Sequence, residues 1–314
     1  MRCFVVGLLL FLQCMLPHGS LPQVHGATLA ENKIIRLVRA QCPMDVIDEL
    51  RWREDADILS SLRAHRCKDV GDFFAGCGVF YAEALSGGLK GFWLDNTCDP
   101  LHDICSTAGF ATWILSALSL VVGGLGVFGI PCTTFCWLAL GHTKRSPSNA
   151  LGDTSRPDVL EANLMLHRCI FILKLLCLRS VFWLIENPLR SALWFQPAWC
   201  NVRKFLHIDR HRTTRVLTYL GAFGCEIAKP VVFQGVCPGA QHVGRARPKR
   251  FAGKQQVQTL GWYSWLQKRS DGTTKRRFMG KRHLKNTGQY PKELCVVLVK
   301  ICKWQKANRR QGKL

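Results

Sequence analysis

Two side chains that are suited to covalent chemistry follow apolar runs typical of buried strands. Cys132 follows Leu125–Ile130, and Glu186-Asn187-Pro188 follows Val181–Ile185. A Cys thiolate is a strong, soft nucleophile, and a loop at the end of a strand presents it without burial. A carboxyl group beside it can exchange a proton with a substrate. The same residues also fit an ordinary loop cysteine and a surface strand end at which Asn-Pro begins a turn.

Glycines and a further carboxylate follow two earlier apolar runs. Gly76-Cys77-Gly78 comes after Val70–Phe74, and Asp95 ends Lys90–Leu94. Glycines after a strand let the backbone approach a ligand at a helix N-terminus, although many turns need glycine simply for a positive φ. A carboxylate at the end of the neighbouring strand has the geometry to accept ribose hydroxyls, or it is a solvated strand end. Gly76, Gly78 and Asp95 are therefore candidate residues for a nucleotide cofactor.

The elements that position these residues alternate regularly between residues 67 and 236. We predict helices at Phe80–Leu85, Phe110–Val122 and Val159–Leu178, and a late strand pair at Val216–Tyr219 and Pro230–Phe233. Strands alternating with helices indicate an α/β fold with a parallel sheet and helices on both faces. Ligands of such sheets bind at the carboxyl ends of the strands, where the unusual residues cluster.

Two segments precede this domain. Residues 1–27 contain the apolar run Cys3–Leu16 followed by small residues, a pattern typical of a secretory signal peptide and also of an organelle-targeting leader or a hydrophobic anchor. If the leader is a secretory signal peptide, we expect the protein in the secretory pathway; otherwise we expect a nuclear or organellar location. Residues 28–66 have helical periodicity in Ile34–Arg39 and Val46–Leu62, which predicts an N-terminal helical segment.

The C-terminal region, residues 237–314, is strongly basic. The chain carries a net charge of +22, and from Gln241 onward 20 Lys and Arg face only Asp271 and Glu293, a net +18. This asymmetry favours a nucleic acid partner first and an anionic membrane second, with a solvated tail as the alternative. Aromatic residues that could stack on bases are interleaved with the basic ones: Trp262, Tyr263, Trp265, Phe278 and Tyr290. Asp271-Gly272 predicts a hairpin turn, and Pro291–Trp304 a final docked helix.

The sixteen cysteines do not have the spacing of a metal site, because the pair Cys132 and Cys136 is followed by no second pair and no His pair. We therefore predict no metal. Ala111–Ile130 is twenty residues without a charge, long enough to span a bilayer. The break at Gly123-Gly124 favours a buried helix, a turn and a buried strand instead, so membrane contact is expected only through the leader.

Four strings resemble motifs of the cytosine-C5 DNA methyltransferases, and a divergent algal set of methyltransferase-like sequences is similar over about residues 67–300. Asp72-Phe73-Phe74-Ala75-Gly76-Cys77-Gly78 is similar to the opening cofactor motif. Pro131-Cys132-Thr133-Thr134-Phe135 resembles the Pro-Cys-Gln-Ser-Phe loop. Glu186-Asn187-Pro188 resembles the Glu-Asn-Val element, and His102-Asp103-Ile104 the Gly-Asp-Ile element. The algal set shares the late Tyr290-Pro291 as well.

The resemblance implies a Rossmann-like methyltransferase fold over residues 67–236 that uses S-adenosylmethionine. It implies a cofactor site formed by Phe74, Gly76, Gly78, Asp95 and Asp103. It also implies a catalytic group of Cys132, Glu186 and Asn187, in which the thiolate adds to cytosine C6 and the carboxyl group assists at N3. The target base would be flipped out of DNA or, second, RNA.

Departures from the family pattern leave other functions open. Val79, Thr133 and Pro188 replace the usual Gly, Gln and Val, and the family's Gln-x-Arg-x-Arg element has no convincing match, although Arg210-His211-Arg212 lies in that region. A relative that keeps the fold and binds nucleic acid without catalysis fits these changes. An oxidoreductase with a nucleotide cofactor would explain the glycines and Asp95, but not Cys132 beside Glu186-Asn187.

Overall fold

A computed structural model describes residues 29–54, 67–208, 213–225, 227–248, 262–268, 274–280 and 288–311. The predicted leader, the end of the second predicted helix, Arg210-His211-Arg212 and the Asp271-Gly272 turn lie outside these residues. The strands on either side of that turn, β7 (Trp262–Lys268) and β8 (Thr274–Gly280), pair antiparallel in a sheet of their own.

A six-stranded sheet forms the centre of the protein, in the order β2-β1-β3-β4-β6-β5. Its strands are β1 (Lys68–Phe73), β2 (Gly91–Leu94), β3 (Leu120–Gly129), β4 (Phe182–Pro188), β5 (Thr214–Tyr219) and β6 (Pro230–Val236). The first four strands are parallel, and β6 runs antiparallel between β4 and β5. The predicted sheet is thus mostly, not wholly, parallel, an arrangement compatible with a Rossmann-like α/β fold.

The reversed direction of β6 follows from the length of its connection. β5 ends at Tyr219 and β6 begins at Pro230, so only about ten residues join them. A parallel pair needs a crossover of a dozen residues or more, whereas an antiparallel pair can be joined by a short loop. The start of β6 therefore lies beside the ends of the parallel strands, with Pro188 opposite Val231.

Helices cover both faces of the sheet. The helices are α1 (Leu29–Gln41), α2 (Met44–Glu54), α3 (Val79–Ser86), α4 (Thr107–Leu118), α5 (Pro157–Leu178), α6 (Pro197–Ile208) and α7 (Lys292–Arg310). Successive strand residues point to opposite faces. Phe128 belongs to the core cluster on the face covered by α1, α2, α4, α5 and α6, and Val127 to the cluster on the face covered by α3 and α7. Short helical turns occupy Pro100–His102, Trp137–Ala139, Leu140–Thr143, Ala192–Phe195, Leu220–Phe223 and Ala240–Val243.

The predicted turn at Gly123-Gly124 is wrong, because both glycines lie inside β3. The register between β1 and β3 shifts there, with Lys68 opposite Leu120 and Val70 opposite Leu125. Gly123 has a φ of +68°, and a Cβ on Gly124 would lie 2.9 Å from the carbonyl oxygen of Asp69. The glycines thus permit a bulge where two backbones meet closely. Within the described part of the chain, no helix is long and apolar enough to cross a membrane.

The last helix, α7, is part of the core, although it lies in the strongly basic C-terminal region. Leu294, Leu298 and Ile301 of α7 are buried against α3 and the sheet. Its C-terminal end is fixed by Asp69 of β1, which accepts from Lys306 at 2.7 Å and pairs with Arg309 at 3.4 Å. The predicted docking of this segment as a helix is confirmed.

Candidate active site

The order of the strands places a crevice between β1 and β3. From β1 the chain moves outward to β2, and it then returns to the other side of β1 as β3 and β4. Ligands of open α/β sheets bind at such a reversal, outside the carboxyl ends of the strands. The turn after β1 and the Pro131-Cys132 loop after β3 flank this crevice, since Phe73 pairs with Phe128.

The turn after β1 has an unusual backbone. Phe74, Gly76 and Gly78 have φ values of +60°, +56° and +68°. For Phe74 this left-handed conformation costs about 1–2 kcal/mol, and its ring packs against Trp113 at 4.6 Å between centroids. A Cβ on Gly76 or on Gly78 would meet no atom within 4 Å. Open space therefore lies beside the turn, where its backbone is accessible to a ligand.

Asp72 supports the turn from within β1. Its carboxylate accepts a hydrogen bond from the backbone N–H of Tyr81 at 3.2 Å, and so caps the first turn of α3 in place of Gly78, which has no side chain to do so. Burial, opposed by the hydrogen bond from Tyr81 and assisted by the nearby Asp95 carboxylate, raises the pKa of Asp72 to about 7.

Asp95 ties the turn to the end of β2. Its Oδ2 accepts from the Gly76 N–H at 2.8 Å, and its Oδ1 accepts from both the N–H and the hydroxyl of Thr97. A carboxylate has about four acceptor positions, so roughly one remains for a ligand, whereas two ribose hydroxyls would need two. Binding both hydroxyls requires the Thr97 hydroxyl to turn away.

Asp103 lies at the same corner of the sheet. Its Oδ1 accepts from the Cys105 N–H at 2.9 Å and closes the loop before α4. His102 links this loop to Asp95, whose backbone N–H donates to His102 Nδ1 at 3.4 Å, and the His102 carbonyl accepts from Trp113 at 2.8 Å. The structure thus brings Phe74, Gly76, Asp95 and Asp103 into one region.

Asn187 connects the two motifs predicted to be catalytic. The strand β4 continues through Pro188, three residues further than predicted, because β6 pairs with it to the end. This places the buried Asn187 beside β3, where its Nδ2 donates to the Ile130 carbonyl at 2.8 Å. Ile130 directly precedes the Pro131-Cys132 loop, so Asn187 positions the loop that carries the cysteine.

Glu186 is buried at the end of β4, with 7% of its surface exposed. Its Oε1 has no hydrogen-bond partner among the described residues. Burial raises the pKa of the Glu186 carboxyl, while the Lys229 ammonium and the Tyr290 hydroxyl lower it. A carboxyl group in this environment retains its proton more readily than one in water, which suits a hydrogen-bond donor.

Cys132 lies half-buried in the loop after β3. Burial raises the pKa of its thiol, the Lys229 ammonium opposes the rise, and the Glu186 carboxylate adds to it. Lys229 and Glu186 therefore lie near enough to Cys132 to influence its ionisation. Lys229 reaches this edge of the sheet because it directly precedes the antiparallel strand β6.

The loop that follows Cys132 is held by a buried arginine. Arg145 is 2% exposed and donates to the carbonyls of Thr134 at 3.1 Å and Ala150 at 2.7 Å. Its guanidinium also lies over the ring of Phe135, 4.4 Å from the centroid. One side chain therefore connects the segment that follows Cys132 to the loop that precedes α5.

Tyr290 completes the edge of the site. Its hydroxyl is buried and lies near Glu186, but it forms no hydrogen bond of standard geometry with a described residue. A Cβ on Gly129, at the end of β3, would be 3.1 Å from this oxygen. The sequence marks Tyr290 as part of a late motif and as a base-stacking aromatic residue, but it gives no signal that Tyr290 or Lys229 belongs to this site, because neither is near Cys132 along the chain.

Taken together, the site has a thiol, a buried carboxyl group and a cation beside a strained glycine turn. A thiol near a proton-donating carboxyl group can add to an electrophilic ring while the ring is protonated or hydrogen-bonded. Among the described residues, no group of three or more His, Cys, Asp or Glu is placed to hold a metal ion.

No family model matches the sequence, and no curated protein is significantly similar to it.

Proposed function

We propose that the protein is an S-adenosylmethionine-dependent methyltransferase that acts on C5 of cytosine in DNA or, second, RNA, on a methyltransferase form of the α/β fold. The observation that carries this proposal is that the glycine turn, Cys132 and Glu186 lie at the same edge of the sheet, at the ends of the neighbouring parallel strands β1, β3 and β4. Three buried oxygen atoms there have no partner among the described residues, namely Glu186 Oε1, Asn187 Oδ1 and Tyr290 Oη. Buried polar atoms are rarely left unpaired. Glu186 and Tyr290 lie close enough to influence each other's pKa, and a polar ligand at this edge of the sheet would complete the hydrogen bonds of the group.

The residues at the glycine turn fit the proposed cofactor. The left-handed turn and the open space beside Gly76 and Gly78 allow close approach to its backbone, and Gly78, the N-cap residue of α3, has no side chain to obstruct it. When bound, S-adenosylmethionine supplies an electrophilic methyl group. Asp95 holds the turn and retains about one acceptor position for a ribose hydroxyl.

Cys132 and Glu186 have complementary roles in this proposal. The Cys132 thiolate adds to C6 of the cytosine ring, and the protonated Glu186 carboxyl donates a hydrogen bond to N3, which makes C6 more electrophilic. The raised pKa of Glu186 supports this role because the carboxyl group must carry a proton. Lys229 is a positioning and electrostatic residue that favours the thiolate form of Cys132.

The non-catalytic alternative rests on a separate observation. The pKa of the Cys132 thiol lies above its ordinary value, so most of the thiol is protonated at neutral pH and is a poor nucleophile. A relative that binds nucleic acid without transferring a methyl group is compatible with such a thiol. The two functions differ in whether a covalent bond to the base ever forms.

Trapping with 5-fluorocytosine tests the proposal. The full-length protein is incubated with S-adenosylmethionine and an oligonucleotide, DNA or RNA, that contains 5-fluorocytosine. Because fluorine cannot leave as a cation, the adduct cannot resolve by elimination and survives denaturing electrophoresis. Cys132→Ser abolishes the adduct, and peptide mass spectrometry of the wild-type adduct identifies Cys132 as its site.

Cys136→Ser is the matched control, since Cys136 is the second half-buried thiol of the same loop. We expect this variant to form the adduct as the wild type does. If no adduct forms with any cytosine-containing strand while S-adenosylhomocysteine still binds in titration calorimetry, the protein is the non-catalytic relative. An adduct that depends on Cys136 instead would overturn the assignment of the nucleophile.

A further inference from the structure

A cavity of about 460 Å³ lies between α7 and the turn Ala240–Val243. The turn follows β6, whose last residue Val236 pairs with Trp183 at the start of β4. The cavity is therefore at the amino ends of the parallel strands, on the opposite edge of the sheet from Cys132. Its volume is within the range of small-molecule sites, about 300–1,000 Å³.

The cavity combines an apolar wall with a basic rim. Val297, Ile301 and Trp304 of α7 line one side, and Trp304 keeps 49% of its surface exposed. Arg245 and Lys300 are exposed at the cavity, and the described residues that line it include no Asp or Glu. An aromatic ring and two cations in one cavity are suited to a ligand with a flat apolar part and a negative charge.

Arg245 is held in place before any ligand binds. Its Nη1 donates to the carbonyls of His242 at 3.1 Å and Gly244 at 2.8 Å. Its guanidinium also lies over the ring of Phe223, 5.6 Å from the centroid. A guanidinium fixed in this way loses little conformational freedom on binding a phosphate group, which is a ligand that Arg prefers.

We infer that this cavity binds one nucleotide of a single-stranded nucleic acid, with the base on Trp304 and a phosphate at Arg245 and Lys300. The inference goes beyond the proposed methyl transfer and does not depend on it, because the cavity shares no residue with the Cys132 site. Base stacking accommodates every base, so the cavity selects an unpaired strand and not a particular sequence.

Fluorescence anisotropy of the full-length protein with a fluorescein-labelled hexathymidylate tests the inference. Trp304→Ala weakens binding by roughly ten-fold or more, since stacking on an aromatic ring is lost, while Trp304→Phe keeps most of the affinity. Lys300→Gln weakens binding more than Lys303→Gln does. Lys303 is the matched control, because it is another exposed lysine of α7 that lies outside the cavity.

Two competitors separate a nucleotide site from a simple basic surface. Tripolyphosphate binds Trp304→Ala as well as it binds the wild type, because it has no ring to stack. Thymidine monophosphate competes, but more weakly than the hexanucleotide, which adds neighbouring phosphates. Equal effects of Lys300→Gln and Lys303→Gln, an unchanged affinity of Trp304→Ala, or the same dependence on Trp304 with duplex DNA would overturn the inference. Thermal melts establish that each variant is folded.

Discussion

The residues at the end of β4 are polar but have almost no access to water. Glu186 and Asn187 are 7% and 0% exposed, and each has an oxygen without a hydrogen-bond partner among the described residues. An unpaired buried polar atom costs on the order of 1–3 kcal/mol. Strands normally avoid this cost in their interiors, so a pair of such residues at a strand end favours a binding role over a structural one.

Glu186→Gln tests whether the carboxyl proton is used. In the proposed reaction, the productive form of the site has Cys132 deprotonated and Glu186 protonated, so we expect the rate of adduct formation with 5-fluorocytosine to pass through a maximum with pH. Both groups have a raised pKa, which shifts this maximum to higher pH than free Cys and Glu side chains would give. In Glu186→Gln the amide does not titrate, so the rate is lower but rises with pH to a plateau.

Rapid-quench measurements of trapping between pH 5 and 10 give this profile for both proteins. S-adenosylhomocysteine affinity serves as the control, because the proposed reaction places Glu186 at the base and the glycine turn at the cofactor, so we expect the substitution to leave cofactor affinity unchanged. A profile of the variant that still falls at high pH would assign the declining limb to a group other than Glu186.

At the level of secondary structure, the sequence predicts the elements better than their ends. Alternating apolar runs are enough to place β1 to β4 and the helices between them, because burial of both faces leaves a continuous apolar signal. The same signal does not reveal the bulge at Gly123-Gly124, since glycine marks turns and bulges alike. It also stops β4 at Ile185, because pairing with β6, and not apolar character, carries the strand on through Glu186.

Asp72, a buried residue of β1, caps the first turn of α3, so one ionisable group connects the two elements. Asp72 titrates near its ordinary value of 3.8 in an unfolded chain and near 7 in the folded protein. Between these pH values the folded state holds a proton that the unfolded chain has released, so stability falls as pH rises. Asp72→Asn can still accept from the Tyr81 N–H but cannot ionise. Relative to this variant, the wild type loses on the order of 2–4 kcal/mol between pH 4 and pH 7.

Urea unfolding of both proteins at several pH values measures this difference. Asp153→Asn is a control of opposite sign, because hydrogen bonds from Ser155 lower the pKa of that exposed carboxyl group. The stability that Asp153 contributes is present above its unfolded pKa and is lost as pH falls. If the stability difference between wild type and Asp72→Asn is the same at pH 4 and pH 7, Asp72 is not buried as a carboxylic acid.

At the scale of the whole molecule, the C-terminal region differs from the rest of the chain in charge, but its helix α7 packs into the same core. The net charge of +18 after Gln241 suggests a single basic extension, but α7 fills the groove between α3 and the sheet and supplies six buried side chains to the core: Leu294, Cys295, Leu298, Val299, Ile301 and Cys302. The positions of Lys229 and Tyr290 in the site follow from this tertiary arrangement. No local pattern predicts them, because both contacts join segments far apart in the chain.

The roles of α7 and of the basic segment 249–287 are therefore tested by different changes. Removal of residues 288–314 exposes the apolar face under α7, so we expect this truncation to unfold the domain, which circular dichroism and limited proteolysis measure.

Exchange of the eleven Lys and Arg of residues 249–287 for Gln leaves α7 in place. This variant keeps the wild-type melting temperature but loses most of its affinity for non-specific duplex DNA, because counterion release scales with the number of phosphate contacts. The plot of log affinity against log salt concentration becomes correspondingly less steep. A truncated chain that folds, or a neutralised chain with an unchanged salt dependence, would show that the core ends before α7 or that the basic segment makes no phosphate contacts.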